Sequence, residues 1–150
     1  MAHAPLREEN VLTLTREYPV PREKVWRAWT QPQALSRWFG PGDTECVTRA
    51  ELDVRVGGRY DIRFRTKDGE EHGVSGVYQE VAPPGRISFT WAWQSTPERV
   101  SVVTIELHAT ASGGTRLEFR HDRFFDRVAR DNHERGWSGT FQKLERFLRA

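Results

Sequence analysis

Residues Val20–Pro41 read VPREKVWRAWTQPQALSRWFGP, and the placing of proline, ring and charge in these 22 residues constrains most of the chain. Pro21 suits the first turn of a helix, where its missing N–H would have had no partner, and Val25, Trp26, Ala28 and Trp29 then share one broad arc. Glu23, Lys24 and Arg27 take the other side. Gln31-Pro32 starts a second helix, on which Leu35, Trp38 and Phe39 repeat at i, i+3, i+4 before Gly40-Pro41 ends it. Two short helices therefore carry four large rings, Trp26, Trp29, Trp38 and Phe39, on their apolar sides. That is too much apolar surface for a solvent-exposed segment, so the pair is expected to cap a core or a cavity.

From Asp43 to His121 the hydrophobic period changes from helical to two. Tyr60, Ile62 and Phe64 alternate with Asp61, Arg63 and Arg65, while Ile87, Phe89, Trp91 and Trp93 alternate with Ser88, Thr90 and Ala92. Val103, Ile105 and Leu107 repeat the pattern, as do Leu117 and Phe119; Cys46–Leu52 and Val74–Val81 are less regular strands, and Val11–Tyr18 opens the chain. Turn signals at Gly57-Gly58, Asp68-Gly69, Pro83-Pro84-Gly85 and Gly113-Gly114 are spaced as hairpin connections, which predicts an antiparallel, mostly meandering sheet.

A long helix closes the chain, with Trp137, Phe141, Leu144 and Leu148 as its stripe, Thr140 and Phe147 flanking it and His133 on the same side. Gly136 and Gly139 each cost roughly 1 kcal/mol relative to Ala inside a helix. Either they serve a close approach or make space, or the helix begins only after Gly139. One strand, two helices, six strands and a long helix form an α+β plan, whose sheet must find its second layer in that last helix.

A chain of 150 residues reads as one domain, able to bury roughly 70% of its unfolded surface without metal or disulfide. Residues 1–10 are expected to form a flexible tail. Cys46 is the only cysteine, which excludes an internal bridge and fits a reducing cytoplasm. Residues 1–20 contain Arg7, Glu8, Glu9 and Arg16 with no apolar leader core, and no apolar run approaches ~18 residues, so a cytoplasmic protein without a membrane span is expected. The 23 basic and 21 acidic residues are interleaved, which argues against a nucleic-acid footprint. Arg outnumbers Lys 20 to 3; the guanidinium fork suits phosphate and carboxylate, although genomic composition explains the bias more plainly.

The run Val20–Thr30, then Trp38-Phe39-Gly40-Pro41, then Arg55-Val56-Gly57-Gly58 resembles the START-like, helix-grip (SRPBCC) family named after the activator of the ninety-kilodalton heat-shock chaperone's ATPase. Gly76, the stretch Glu80–Ile87, Phe89-Thr90-Trp91, and His133 with Gly136-Trp137 continue the likeness, which runs from about Val11 to Leu148. The resemblance implies a seven-stranded curved antiparallel sheet wrapped around the C-terminal helix, two short helices after the first strand, and a mostly apolar cavity between sheet and helix. Relatives on this fold bind lipids, hormones, polyketides and other hydrophobic small molecules, but fold alone does not assign function.

The inward sheet face would collect Tyr60, Phe64, Trp91, Trp93 and Phe119, and large rings leave irregular gaps suited to a small molecule. With Trp38, Phe39, His121, His133 and Trp137 these are the ligand-binding candidates, although a plain core role suits Trp137, like Trp26 and Trp29, at helical spacing. His121 extends the inward register of Thr115, Leu117 and Phe119; it and His133 are the weak catalytic candidates, as acid or base, with a structural role the plainer reading. Nucleophile-elbow, Walker, dinucleotide and H-E-x-x-H signatures are absent. His121-Asp122 and His133-Glu134 lack the spacing of a metal site, and no cofactor or metal is expected. Cys46 reads as a small strand residue rather than a nucleophile.

Three function classes follow: a binding protein for a hydrophobic or aromatic small molecule, a co-chaperone-like module with a stress-response role, and a cavity enzyme of cyclase, dehydratase or hydrolase type. The family's eponymous activator carries a separate N-terminal domain that supplies much of its chaperone contact, whereas this chain spends its residues on one module. The binding reading therefore leads. Exposed strand edges allow a homodimer.

Overall fold

The computed structural model describes residues 10–150, so the tail expected over residues 1–10 lies outside the described residues apart from Asn10. Strand β1 (Leu12–Tyr18) is followed by helices α1 (Arg22–Thr30) and α2 (Pro32–Leu35). Strands β2 (Thr44–Leu52), β3 (Arg59–Thr66), β4 (Glu71–Ala82), β5 (Arg86–Trp93), β6 (Ser101–Ala109) and β7 (Thr115–Asp122) come next, and α3 (Arg127–Arg149) closes the chain. The seven strands form one antiparallel sheet in the order β1-β7-β6-β5-β4-β3-β2, a helix-grip arrangement. Every neighbour from β2 to β7 is a sequential hairpin, four of the five at the turn signals and the fifth, β5–β6, without one. Since β1 and β2 are the two edges, α1 and α2 carry the chain from one edge to the other.

The less regular strands are irregular for a physical reason. Register shifts interrupt the β2–β3 pairing at Thr44/Cys46 and Val47/Arg49, and the β4–β5 pairing at Tyr78/Glu80. Each shift bends its strand and breaks the period-two pattern. Gly76 lies on β4 just before the Tyr78/Glu80 irregularity, and a Cβ there would sit 2.0 Å from the Thr90 carbonyl oxygen. That carbonyl accepts the Tyr60 hydroxyl at 2.6 Å, and the Thr90 hydroxyl accepts the Val77 N–H at 2.8 Å.

The helices depart from expectation at their ends. Pro21 has ψ 156° and caps α1 instead of standing in its first turn; its carbonyl accepts from Lys24 and Val25. Val25, Ala28 and Trp29 are buried while Trp26, a hundred degrees round from Val25, is only half-buried. α2 is a single turn, and the chain continues as turns through Trp38. The apolar stripe survives because the Trp38 and Phe39 amides both bond to the Leu35 carbonyl, leaving Leu35, Trp38 and Phe39 all buried.

α3 runs 23 residues through both glycines, so it does not wait for Gly139. It starts where the Asp126 carboxylate accepts the Ala129 N–H at 2.8 Å. Its Phe141, Leu144 and Leu148 are sealed against the sheet, where burial of each is worth ~1.5–3 kcal/mol. Phe119 of β7 packs on Trp137 at 4.7 Å and Phe141 at 5.2 Å between ring centroids. Among the described residues no helix is long and apolar enough to cross a membrane.

Candidate ligand cavity

A cavity of ≈ 540 Å³ lies between the N-terminal half of α3, strands β3 and β5, and the Phe39–Pro41 exit from the short helices. α3 turns Asn132, His133, Gly136, Trp137 and Thr140 toward it, the i, i+1, i+4, i+5, i+8 face of one helix. The sheet contributes Phe64, Trp91 and Trp93, and Arg135 stands exposed at the rim. Both costly glycines acquire reasons. A Cβ on Gly136 would meet nothing within 4 Å, whereas one on Gly139 would come 3.0 Å from the Gly42 nitrogen. The first leaves room for the cavity; the second lets the loop after Pro41 press against the helix.

That loop is tied to α3 by polar contacts that no local pattern announces. The Thr140 hydroxyl donates to the Gly40 carbonyl at 2.8 Å, and the Lys143 ammonium donates to the Pro41 and Phe39 carbonyls at 3.0 and 3.4 Å. Burial, reinforced by nearby Arg146, pulls the Lys143 pKa down. Phe39 is thereby held with its ring 6.1 Å from Phe64, 6.1 Å from Trp91 and 6.4 Å from Trp137.

The two candidate histidines are fixed by their donors. An indole N–H can only donate, so the Trp137 bond to His121 Nδ1 at 3.1 Å makes that nitrogen an acceptor. His121 Nε2 then carries the proton and donates to Ser101 Oγ at 2.7 Å, and the Ser101 hydroxyl passes on to the Trp91 carbonyl at 3.2 Å. His133 is the opposite tautomer, with Nε2 accepting from Trp93 Nε1 at 2.8 Å and Nδ1 donating to the Ala129 carbonyl at 2.7 Å. Burial drives the His121 pKa well below the usual range, with His133 adding to the shift; burial also lowers His133, against its bond to Ala129. Both rings are thus neutral, and all four ring nitrogens are engaged. An acid–base role would first require one of these bonds to break.

Of the sequence candidates, Phe39, Phe64, Trp91, Trp93, His133 and Trp137 line the cavity. The other four sit in packed interior. Trp38 is buried and donates to the Ala28 carbonyl at 3.1 Å. Tyr60 packs on Tyr78 and Phe89 at 5.7 and 5.4 Å beside a void of only ≈ 20 Å³. Phe119 and His121 stand behind Trp137. The sequence reading did not propose Gly40, Pro41, Asn132, Arg135 or Thr140 as site residues; 132, 136 and 140 share a helical spacing, but polar residues beside an apolar stripe look like any solvated edge. A smaller hollow of ≈ 250 Å³ lies across the Trp93–His133 pair and shares Trp91 and Asn132 with the first.

Cys46 is half-buried on β2 and accepts a bond from Arg65 at 3.4 Å. On the outer sheet face Glu106, His108 and Glu118 bring ligand atoms within 4.8 Å of one another, and Arg86 and Arg116 already pair with the two carboxylates.

The family model described as Activator of Hsp90 ATPase homolog 1-like protein matches residues 19–149. The chain belongs to that family. Among solved structures, this family member is similar to a protein from Nitrosomonas europaea at 30% identity, covering 97% of this chain and 98% of that one with a TM-score of 0.80. A protein from Chromobacterium violaceum is 28% identical over 94% and 99% of the two chains, with a TM-score of 0.84. A Silicibacter pomeroyi protein named for the same family is 28% identical over 90% and 94% of the two chains, with a TM-score of 0.80. No curated protein matches the chain.

Proposed function

We propose that this protein binds a hydrophobic or aromatic small molecule in the cavity beside the N-terminal half of α3. The observation that carries the reading is Gly136, a helix position facing an aromatic-walled space of ≈ 540 Å³ with nothing within 4 Å of where its side chain would begin. That volume lies within the ~300–1,000 Å³ range of small-molecule sites, and the walls match their mostly apolar, partly aromatic composition. A helix tolerates a glycine at roughly 1 kcal/mol of cost more readily where the missing side chain serves a purpose. The fold and family support the class of function without naming the ligand.

The test is occupancy. Native mass spectrometry of freshly purified protein and tryptophan fluorescence across a lipid and aromatic-metabolite panel should reveal binding, because Trp91, Trp93 and Trp137 form the walls. Gly136→Leu, which projects a side chain into the space, should abolish it while leaving the protein folded. Silence in both assays, or binding that Gly136→Leu leaves unchanged, would defeat the proposal.

A further inference from the structure

The cavity's polar groups are unbalanced in one direction. None of the lining residues is acidic, and the one charged side chain among them is Arg135. One to two turns earlier on α3, Arg130 and Arg127 are paired with Asp131 and Glu134, yet among the described residues no carboxylate lies within ion-pair distance of Arg135. Its bond goes to the Asn132 side-chain oxygen, which leaves the Asn132 NH₂ as a donor. Several acceptors, by contrast, already hold a donor: the Gly40 and Pro41 carbonyls take Thr140 and Lys143, and the acceptor nitrogen of His133 takes Trp93. What remains open to a guest is the Asn132 NH₂ and the Arg135 guanidinium, both on exposed residues at the rim of an aromatic-walled space.

Building on the small-molecule reading, we propose that the guest is an aromatic or otherwise apolar carboxylic acid, its hydrophobic body among Phe39, Phe64, Trp91 and Trp137 and its carboxylate at Arg135. A guanidinium offers two parallel N–H bonds to a carboxylate, a geometry that a neutral guest cannot use fully. An ammonium-bearing guest would meet Arg135 as a like charge, with no carboxylate among the lining residues to pair with it. A doubly charged phosphate is the poorer fit, since a single Arg leaves half its charge uncompensated.

Calorimetric titration of wild type and Arg135→Gln with 2-naphthoate, 2-naphthamide and 2-naphthylmethylammonium separates these cases. Wild type should bind the naphthoate about tenfold more tightly than the amide, the size expected of a charge-assisted contact that stays partly wet. Arg135→Gln should bring the acid to within about twofold of the amide. Equal affinity of wild type for acid and amide, or a preference for the ammonium, would overturn the carboxylate assignment while the small-molecule reading stands. No binding of any of the three would also overturn the carboxylate assignment, and the small-molecule reading would fall with it only if native mass spectrometry and the fluorescence panel were silent too.

Discussion

Gly136 and Gly139 lie one turn apart on the same helix, so replacing each by Ala adds the same atoms to two different surroundings. In a helix interior the exchange itself favours the folded state by roughly 0.5–1 kcal/mol, through helix propensity and a less flexible unfolded chain. At position 136 nothing lies within 4 Å of the new methyl group, so the full gain should appear. For a chain of this length that is a rise in Tm of about 1–4 °C. At position 139 the methyl group would stand 3.0 Å from the Gly42 nitrogen and 3.5 Å from its Cα, both backbone atoms of a loop tethered by Thr140 and Lys143. Relieving that contact means moving the loop or the helix, and overpacking of this kind costs about 1–3 kcal/mol. The gain is therefore cancelled or reversed, and Gly139→Ala should be neutral to ~2 kcal/mol destabilising. Urea denaturation followed by circular dichroism gives both values against wild type. A destabilised Gly136→Ala, or two variants with equal gains, would refute the assignment of space to one glycine and close approach to the other.

Thr140→Val keeps the shape of the side chain but leaves the buried Gly40 carbonyl without its 2.8 Å donor, and should cost about 1–3 kcal/mol in the same urea assay. Acid should destabilise the protein through His121 and His133: both fold with pKa values below the ordinary 6.5, so the unfolded chain binds more protons just below that pH. Stability is then complete above about pH 6.5 and falls as pH drops toward the folded values. Unfolding midpoints across pH 4.5–8 check this against a His121→Asn variant, whose curve should be flatter; an unchanged slope would contradict the linkage. In the same native protein, nitrogen-15 NMR should find the proton of His121 on Nε2 and that of His133 on Nδ1, and the reverse tautomers would break the hydrogen-bond assignment.

Much of the architecture is legible because it rests on repeats that local chemistry enforces. Tyr60, Ile62 and Phe64 alternate with charged residues since one sheet face must be covered and the other meets water, and the fold buries all three. Likewise Trp137, Phe141, Leu144 and Leu148 announce the gripped helix through spacing alone. The ends of α1 and α2 were less legible, because a proline fits a cap as well as a first turn, and because Leu35, Trp38 and Phe39 stay buried whether the backbone continues as helix or as turns. His121 could be placed on the inward face from its register with Phe119. Its neutral, donor-locked state could not, since that depends on Trp137 and Ser101, 16 and 20 residues away. The ties from Thr140 and Lys143 to the Phe39–Pro41 exit span about a hundred residues and leave no periodic trace.

The origin of the hollow differs from what aromatic surplus alone implies. Rings were expected to leave gaps between themselves, yet around Tyr60, Tyr78 and Phe89 they close to a void of ≈ 20 Å³, and Phe119, Phe141 and Trp29 likewise pack against their neighbours. The ≈ 540 Å³ space opens instead where α3 changes character along its length. In its C-terminal half Phe141, Leu144 and Leu148 fill the grip; one turn toward the N-terminus, Gly136 withholds a side chain and Asn132 offers only a short polar one. The aromatic residues thus divide into two populations. Those packed against α1, α2 or Phe141 stabilise the fold, and those around Gly136 lose a partner they would otherwise pack against. A guest supplies that missing partner, which is why a single side chain added at position 136 should compete with it directly.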